Sequence, residues 1–289
     1  MMNETAVVWT RVACSLCGAD RPAPLLVDKV RRGKTTHAFH VVRCSACGFV
    51  YVNPRGTGAS FDNLAGGAAR RDASVANAPI YACGLRGLQA AGLPPGARIL
   101  DLGCARGDFL AYAHDAGYEV VGVDINPALA EAARRRGFEV HTGDLRALDL
   151  AAVDAVTLWD VIEHVDDPVA VLAACRATVR PGGLVLFHTG NAWFQIPKAR
   201  LLVRLRPSGG PYLIPSQHVS HFDPHTASQA LQAAGWEPVA VSFAGTLHYR
   251  QTWKRWAMAA LNALGSLPPR WGGPLLTNAM AAIGRRPME

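Results

Sequence analysis

Between Arg98 and Gly190 short apolar runs alternate with longer stretches whose apolar residues recur at helical spacing. The runs Ile99–Leu102, Glu119–Val123, Glu139–His141, Asp154–Trp159 and Leu184–His188 have strand length and are rich in Val and Ile. Helices are expected between them, from about Gly107, over Pro127–Arg136 and over Val169–Val179, with a further one at Ile80–Leu93. Proline stands at the start of the second, where a first helical turn tolerates it. Strand and helix in strict alternation predict a parallel sheet with helices on both faces, a doubly wound α/β domain. Trp236–Phe243 reads as a sixth strand, and Asn278–Arg285 as a seventh.

The front of the chain follows a different pattern. Cys14-Ser-Leu-Cys17-Gly18 and Cys44-Ser-Ala-Cys47-Gly48 are two CxxCG knuckles. A strand, Ala38–Arg43, runs into the second knuckle and Gly48–Asn53 leaves it as another. Four thiolates suit a tetrahedral, structural Zn²⁺ on Cys14, Cys17, Cys44 and Cys47, and the glycines permit the tight turns. A redox dithiol, which needs only one CxxC, and an iron–sulfur site are the alternatives. Residues 1–55 are thus expected to form a zinc ribbon, 56–79 a Gly/Ala/Asn-rich linker, and 80–289 the α/β domain. Helical insertions are expected on its substrate side at about 191–222 and 246–276.

The candidate chemistry centres on the first strand of that domain. ILDLGCARG turns through Gly103 and Gly107 into a helix, so backbone amides can approach a ligand. Asp124 ends the next strand, where an acid can hold the hydroxyls of a ribose. The spacing is GxxxG rather than GxGxxG, and Asp101 precedes the turn. A carboxylate there repels a pyrophosphate and attracts the ammonium and sulfonium of S-adenosyl-L-methionine. The loop favours the methyl donor over a dinucleotide.

With ILDLGCARG, VVGVDINP, GDL, LWDVIEHVDDP and VRPGGLVLF, the chain resembles the class I S-adenosylmethionine-dependent methyltransferases over about residues 80–286. The likeness implies a Rossmann-like seven-stranded sheet, with the last strand inserted antiparallel. It also implies that Asp101, Gly103 and Gly107 flank the methionine part and that Asp124, with Ile125 beside it, holds the ribose. Asp144, followed by Leu145, would meet the adenine, and Asp160 would lie by donor and acceptor. Ala105 departs from the pattern, standing where many members have a third glycine. The N-terminal CxxC pairs before FVYVNP are similar to bacterial members that carry a zinc ribbon and methylate sugars, glycans or natural products.

Hydroxyl and carbon acceptors need a base, and histidine is suited by its pKa. The segment from Gly209 to Phe222 holds His218 and His221 and is similar to the PYL…EHxxHF stretch of those bacterial enzymes, whose first histidine is a base. His218 is therefore the first candidate and His164, after the fourth strand, the second. Asp160-x-x-Glu163-His164 also resembles the acid-rich motif of ubiquinone-pathway O-methyltransferases, where acids and a histidine bind Mg²⁺. Its plainer reading has Glu163 capping and His164 packing. His188, at the end of the fifth strand, is expected inside the protein with its hydrogen bonds made.

Charge adds one asymmetry. The formal charge is +7, and the segment 191–289 holds ten Lys/Arg against three Asp/Glu, while the chain before it is balanced. Half the residues are apolar, which excludes wholesale disorder. Lys198–Arg206 and Tyr249–Leu264 set basic residues beside Leu and Trp at helical spacing. That pattern suits a membrane interface, a lid over a hydrophobic substrate, or ordinary packing. No run is apolar enough to cross a bilayer. Met1–Thr10 lacks a signal peptide's basic and apolar regions. A cytoplasmic protein is expected, with peripheral contact at the inner membrane surface as the alternative. The expected activity is methyl transfer to a small-molecule acceptor. An rRNA or tRNA methyltransferase is the first rival, weakened by the neutral ribbon-and-donor half, and a non-catalytic S-adenosylmethionine-binding module is the second.

Overall fold

A computed structural model describes residues 8–32, 35–57, 74–207, 209–243 and 277–288. The expected second insertion and most of the linker, as well as Tyr249–Leu264, lie outside the described residues.

A seven-stranded sheet dominates. Its strands are β6 (Arg98–Leu102), β7 (Glu119–Asp124), β8 (Glu139–Thr142), β9 (Val153–Trp159), β10 (Val179–Gly190), β12 (Glu237–Phe243) and β13 (Ala279–Arg285). Their order is β12-β13-β10-β9-β6-β7-β8, and β13 runs antiparallel to both neighbours. The other pairings are parallel, as βαβ crossovers require. The fold is therefore the expected doubly wound, Rossmann-like α/β sheet. β10 absorbs its Arg180-Pro-Gly-Gly turn as a register shift between Val179 and Leu184.

Helices α1 (Ser74–Ala90), α2 (Asp108–Asp115), α3 (Pro127–Arg134), α4 (Pro168–Thr178), α5 (Ala192–Leu205) and α6 (Pro224–Ala233) cover the faces. Their starts are written in the sequence. Asn126 accepts from the Ala128 and Leu129 amides, Asp167 from Ala170 and Asn191 from Trp193, and Asp223 forms a capping box with Thr226. α1 begins at Ser74, ahead of the expected Ile80. α5 buries Ala192, Ile196 and Ala199 and exposes Trp193, Leu201 and Leu205 among Lys198, Arg200 and Arg204. Among the described residues no helix is long and apolar enough to cross a membrane.

The N-terminal region is built from β1 (Val8–Thr10), β2 (Pro22–Arg32), β3 (Thr35–Cys44), β4 (Val50–Val52) and β5 (Arg55–Thr57). β2 and β3 form a hairpin much longer than the Ala38–Arg43 strand expected from the pattern. The ribbon sheet is completed from far along the chain. β11 (Ser220–His221) pairs antiparallel with β4, giving the order β11-β4-β3-β2. One apolar cluster accordingly joins Cys14, Leu16, Cys44, Phe49 and Tyr51 to Val156, Leu158, Phe187 and Phe222 of the large sheet's side.

Phe222 is the hinge of that shared core. It is fully buried, with ring centroids 5.0 Å from Phe49 and 5.7 Å from Phe187. Truncation to alanine leaves a void between ribbon and sheet. Phe222→Ala should cost about 3–5 kcal/mol in urea unfolding. A loss under about 1 kcal/mol would mean that the two parts do not depend on each other.

Candidate active site

β6 is buried from Ile99 to Leu102 and delivers the chain into a left-handed loop, with φ of 76° at Gly103, 49° at Ala105 and 78° at Gly107. Gly103 has a steric reason as well, since a Cβ there would stand 2.5 Å from Val161 Cγ2. Ala105 adopts the same backbone region without glycine's freedom, at a cost of roughly 1–2 kcal/mol. Its amide explains what holds it there. Ala105 N–H donates to Asp124 Oδ2 at 2.8 Å and Asn126 N–H to Asp124 Oδ1 at 2.8 Å. Gly103 and Cys104 add bonds to the Val123 carbonyl at 2.7 and 3.1 Å. Asp124 is 6% exposed, and each of its oxygens retains a lone pair. A vicinal diol such as a ribose is the natural bidentate partner.

Asp101 lies beneath this loop and is buried. Its Oδ1 accepts from the Thr157 hydroxyl at 2.8 Å. Burial, with Asp124 adding repulsion, pushes its pKa up to about 8 against the Thr157 bond. No cationic side chain compensates it in these interactions. A bound cation would restore its charge. Ile125 is exposed beside the loop, at the mouth of the site. Asp144 is half-exposed, accepts from the Arg146 amide and pairs with that guanidinium, which holds its carboxyl down to about 2. Leu145 is buried in the core, so only its backbone can meet a ligand.

On the candidate acceptor side Asp160 follows β9 with φ of 52°, an uncommon backbone for a non-glycine residue. Its amide donates to the His188 carbonyl at 3.1 Å, and its Oδ1 meets Nδ1 of the buried His188 at 2.8 Å. Glu163 is buried, with a side-chain hydrogen bond to Thr189, and its Oε2 finds no partner among the described residues. Burial and then Asp160 push its carboxyl up to about 7. Its carbonyl accepts from the Val219 and Ser220 amides at 2.9 and 3.2 Å, which brings the 209–222 segment over this edge. His164 Nδ1 lies 3.0 Å from the Gln217 carbonyl, to which it donates. The His164 and His218 rings meet edge to face at 4.8 Å. Glu163, His164 and His218 place one ligand atom each within 4.8 Å of one another, and Asp160 is paired elsewhere, with His188. His221 is buried, and burial followed by the His218 charge pushes its pKa down to about 3.

The four thiols converge within the ribbon. Cys14 and Cys47 sulfurs stand 3.6 Å apart, as do those of Cys17 and Cys44. A tetrahedron of sulfurs at about 2.3 Å from zinc has edges of about 3.8 Å. The donor set therefore fits a closed tetrahedral metal. Burial pushes the Cys14 thiol up to about 11 and the Cys47 thiol higher still, so a cation is needed to hold all four as thiolates.

Sequence alone points to the donor loop, the thiols, Asp160, His164 and His218 as members of these two sites. It does not reveal that Asp160 pairs with His188, because that contact joins the ends of two different strands.

A family model described as a methyltransferase domain matches residues 77–241. Among curated proteins, the ubiquinone biosynthesis O-methyltransferase of Bordetella pertussis is 32% identical over 164 residues, 52% of this chain and 66% of the relative. The enzyme of the same name from Xanthomonas campestris pv. campestris is 33% identical over 129 residues, 40% of this chain and 54% of the relative. The matches thus span between about half and two thirds of the relatives' length. Among solved structures, magnesium protoporphyrin IX methyltransferase from Synechocystis PCC 6803 with bound SAH superposes with a TM-score of 0.52 at 14% identity, covering 78% of this chain and 93% of the other. At that identity the likeness speaks to the fold alone.

Asp101 gives the site a pH signature. From about pH 4 to about 8 the native carboxyl keeps a proton that the unfolded chain has released, so stability falls as pH rises through that window. A cation bound there expels the proton. Titration calorimetry with S-adenosylmethionine near pH 6.5, in buffers of different ionisation enthalpy, should report proton release, reduced in Asp101→Asn. Release unchanged in that variant would place the proton elsewhere.

Proposed function

The chain belongs to the family of methyltransferase domains, and on that premise we propose that it transfers the methyl group of S-adenosyl-L-methionine to a hydroxyl of a small molecule. The observation that carries this reading is the pairing of Asp124, free to take a diol, with Asp101, a buried carboxyl whose ionisation a cation would favour. Ribose and sulfonium-bearing methionine answer those two demands in one molecule. Gly103 and Gly107 let the backbone approach it, while Ile125, Asp144 and Leu145 border the adenine and ribose. In the transfer an acceptor oxygen forms a bond to the methyl carbon as the carbon–sulfur bond breaks. S-adenosylhomocysteine leaves, and the hydroxyl proton passes to a base.

His218 is our base, with His164 as the neighbour that orients it. Their rings are in contact, they sit on the edge that Asp160 closes, and neither is sealed in the core. Asp160, braced by His188, orients the acceptor hydroxyl. A sugar, a glycan precursor or a hydroxylated natural product fits this chemistry. The ubiquinone-pathway relatives support O-methylation of a small molecule in general. Zn²⁺ on Cys14, Cys17, Cys44 and Cys47 is assigned a structural role, because four thiolates leave it no open position.

The chemistry is tested by following transfer of labelled methyl from the donor to a nucleotide-activated hexose and to a dihydroxybenzoate. His218→Asn should slow turnover on whichever is methylated by about a hundredfold and leave donor affinity within about twofold. Asp124→Ala should weaken donor binding at least about tenfold. Normal turnover in both His218→Asn and His164→Asn would contradict a histidine base. Unchanged donor affinity in Asp124→Ala would contradict the site itself.

Elemental analysis of the purified protein should find one zinc per chain. Replacing a ligand cysteine should release the metal and lower stability across the core shared with the large sheet. Metal-free protein of unchanged stability would overturn the structural role.

A further inference from the structure

His164 and His218 are brought together from two loops that are distant in the chain. Both loops are fastened to the N-terminal region. On one side Asp28, within β2 and 1% exposed, accepts three backbone amides. Lys29 N–H donates to its Oδ1 at 2.9 Å, and the Tyr212 and Leu213 N–H groups both donate to its Oδ2 at 2.8 Å. The 209–222 segment, here the roof of the proposed acceptor site, lies close on β2 at this point. A Cβ on Gly210, whose φ is 125°, would come within 3.1 Å of the Lys29 carbonyl oxygen and 3.2 Å of Asp28 Oδ1. Further along, Val52 N–H donates to the Val219 carbonyl at 2.9 Å, and β11 pairs with β4. On the other side the buried Arg55 donates from Nη1 to the Asp166 carbonyl at 2.7 Å and to Asp166 Oδ1 at 3.1 Å, just beyond His164 in the chain.

A carboxylate out of water is costly, and an apolar residue would serve the β2–β3 hairpin as well. What Asp28 adds is direction. Charge-assisted bonds to two successive roof amides fix where that chain begins its path to His218. We propose that Asp28 is a positioning residue for the acceptor site. It anchors the 210–213 turn to the ribbon and so, together with Arg55 on the opposite wall, sets the contact between His164 and His218. The N-terminal ribbon is then the third wall of the acceptor site as well as a metal-stabilised appendage. This inference rests on the reading that the acceptor binds beside those two histidines.

The test uses the full chain carrying Asp28→Ala and Asp28→Asn, with three readouts that need no acceptor. These are amide hydrogen exchange, the nuclear Overhauser contact between the His164 and His218 rings, and affinity for S-adenosylhomocysteine by calorimetry. In Asp28→Ala, exchange at Tyr212, Leu213 and 216–221 should rise at least about tenfold, as loss of bonds to a charged group predicts. The ring contact should vanish, while exchange across β6 to β9 and ligand affinity stay as they are. Asp28→Asn keeps one carbonyl oxygen for the roof amides, so it should retain the ring contact and fall between the other two in exchange. General destabilisation would instead raise exchange throughout and spare the ring contact among folded molecules. If the alanine chain does not fold, Asp28→Asn decides, with exchange at Tyr212 and Leu213 raised about threefold or more. Unchanged exchange at those amides, or a ring contact that survives in Asp28→Ala, overturns the proposal. A chain that methylates neither hydroxyl compound would count against the proposed function and leave these readouts standing.

Discussion

The Asp124 carboxylate is the joint on which the candidate donor site turns. By taking the amides of Ala105 and Asn126, it binds the loop that leaves β6 to the end of β7. Those two bonds hold Ala105 in a left-handed backbone that alanine does not favour. They also lead the loop's turn into α2 and leave each carboxylate oxygen a further lone pair. Parallel strands deliver both pieces to the same edge of the sheet, so the geometry follows from the strand order once the acid is in place. Asp101 lies close by on β6, buried from solvent, and among the described residues no cationic side chain offsets its charge. A site that took a diol at one carboxylate and a cation at the other, as proposed, would be narrow in what it accepts.

The candidate acceptor edge is made differently. The donor loop is local, drawn from residues 101 to 126. The opposite wall is assembled from β4, the loop after β9, the end of β10 and the segment before α6. Such a wall depends on contacts between distant parts of the chain, and the ribbon supplies several of them. Its sheet takes β11 as an edge strand, and its buried aromatics are continuous with Phe187 and Phe222. A metal held by the four cysteines, as proposed, would therefore support more than the ribbon itself.

How much of this can be read in the sequence follows the same division. The alternation of Val- and Ile-rich runs with helical stretches is strong from Ile99 to His188, and each strand expected there is present, with β10 starting earlier, at Val179. The glycine loop and the paired CxxC knuckles are equally legible, because each is a short motif with a local physical cause. β11 spans only Ser220 and His221 and has no periodicity to detect, yet it joins the ribbon to the domain. Asp28 looks like any polar residue of a hairpin, and only the fold shows that its partners are Tyr212 and Leu213. His188 reads from sequence as an interior histidine with its bonds made. The structure supplies the identity of its partner, Asp160, which no spacing rule could provide. The left-handed backbone at Asp160 is hidden from the sequence for the same reason.

A crystal structure of the protein with S-adenosylhomocysteine would test the donor site and the acceptor edge together. Both ribose hydroxyls should lie on Asp124, the amino group of the homocysteine part toward Asp101, and the sulfur facing the gap between Asp160 and the His164–His218 pair. A ribose held elsewhere, or a sulfur turned away from those histidines, would contradict these assignments.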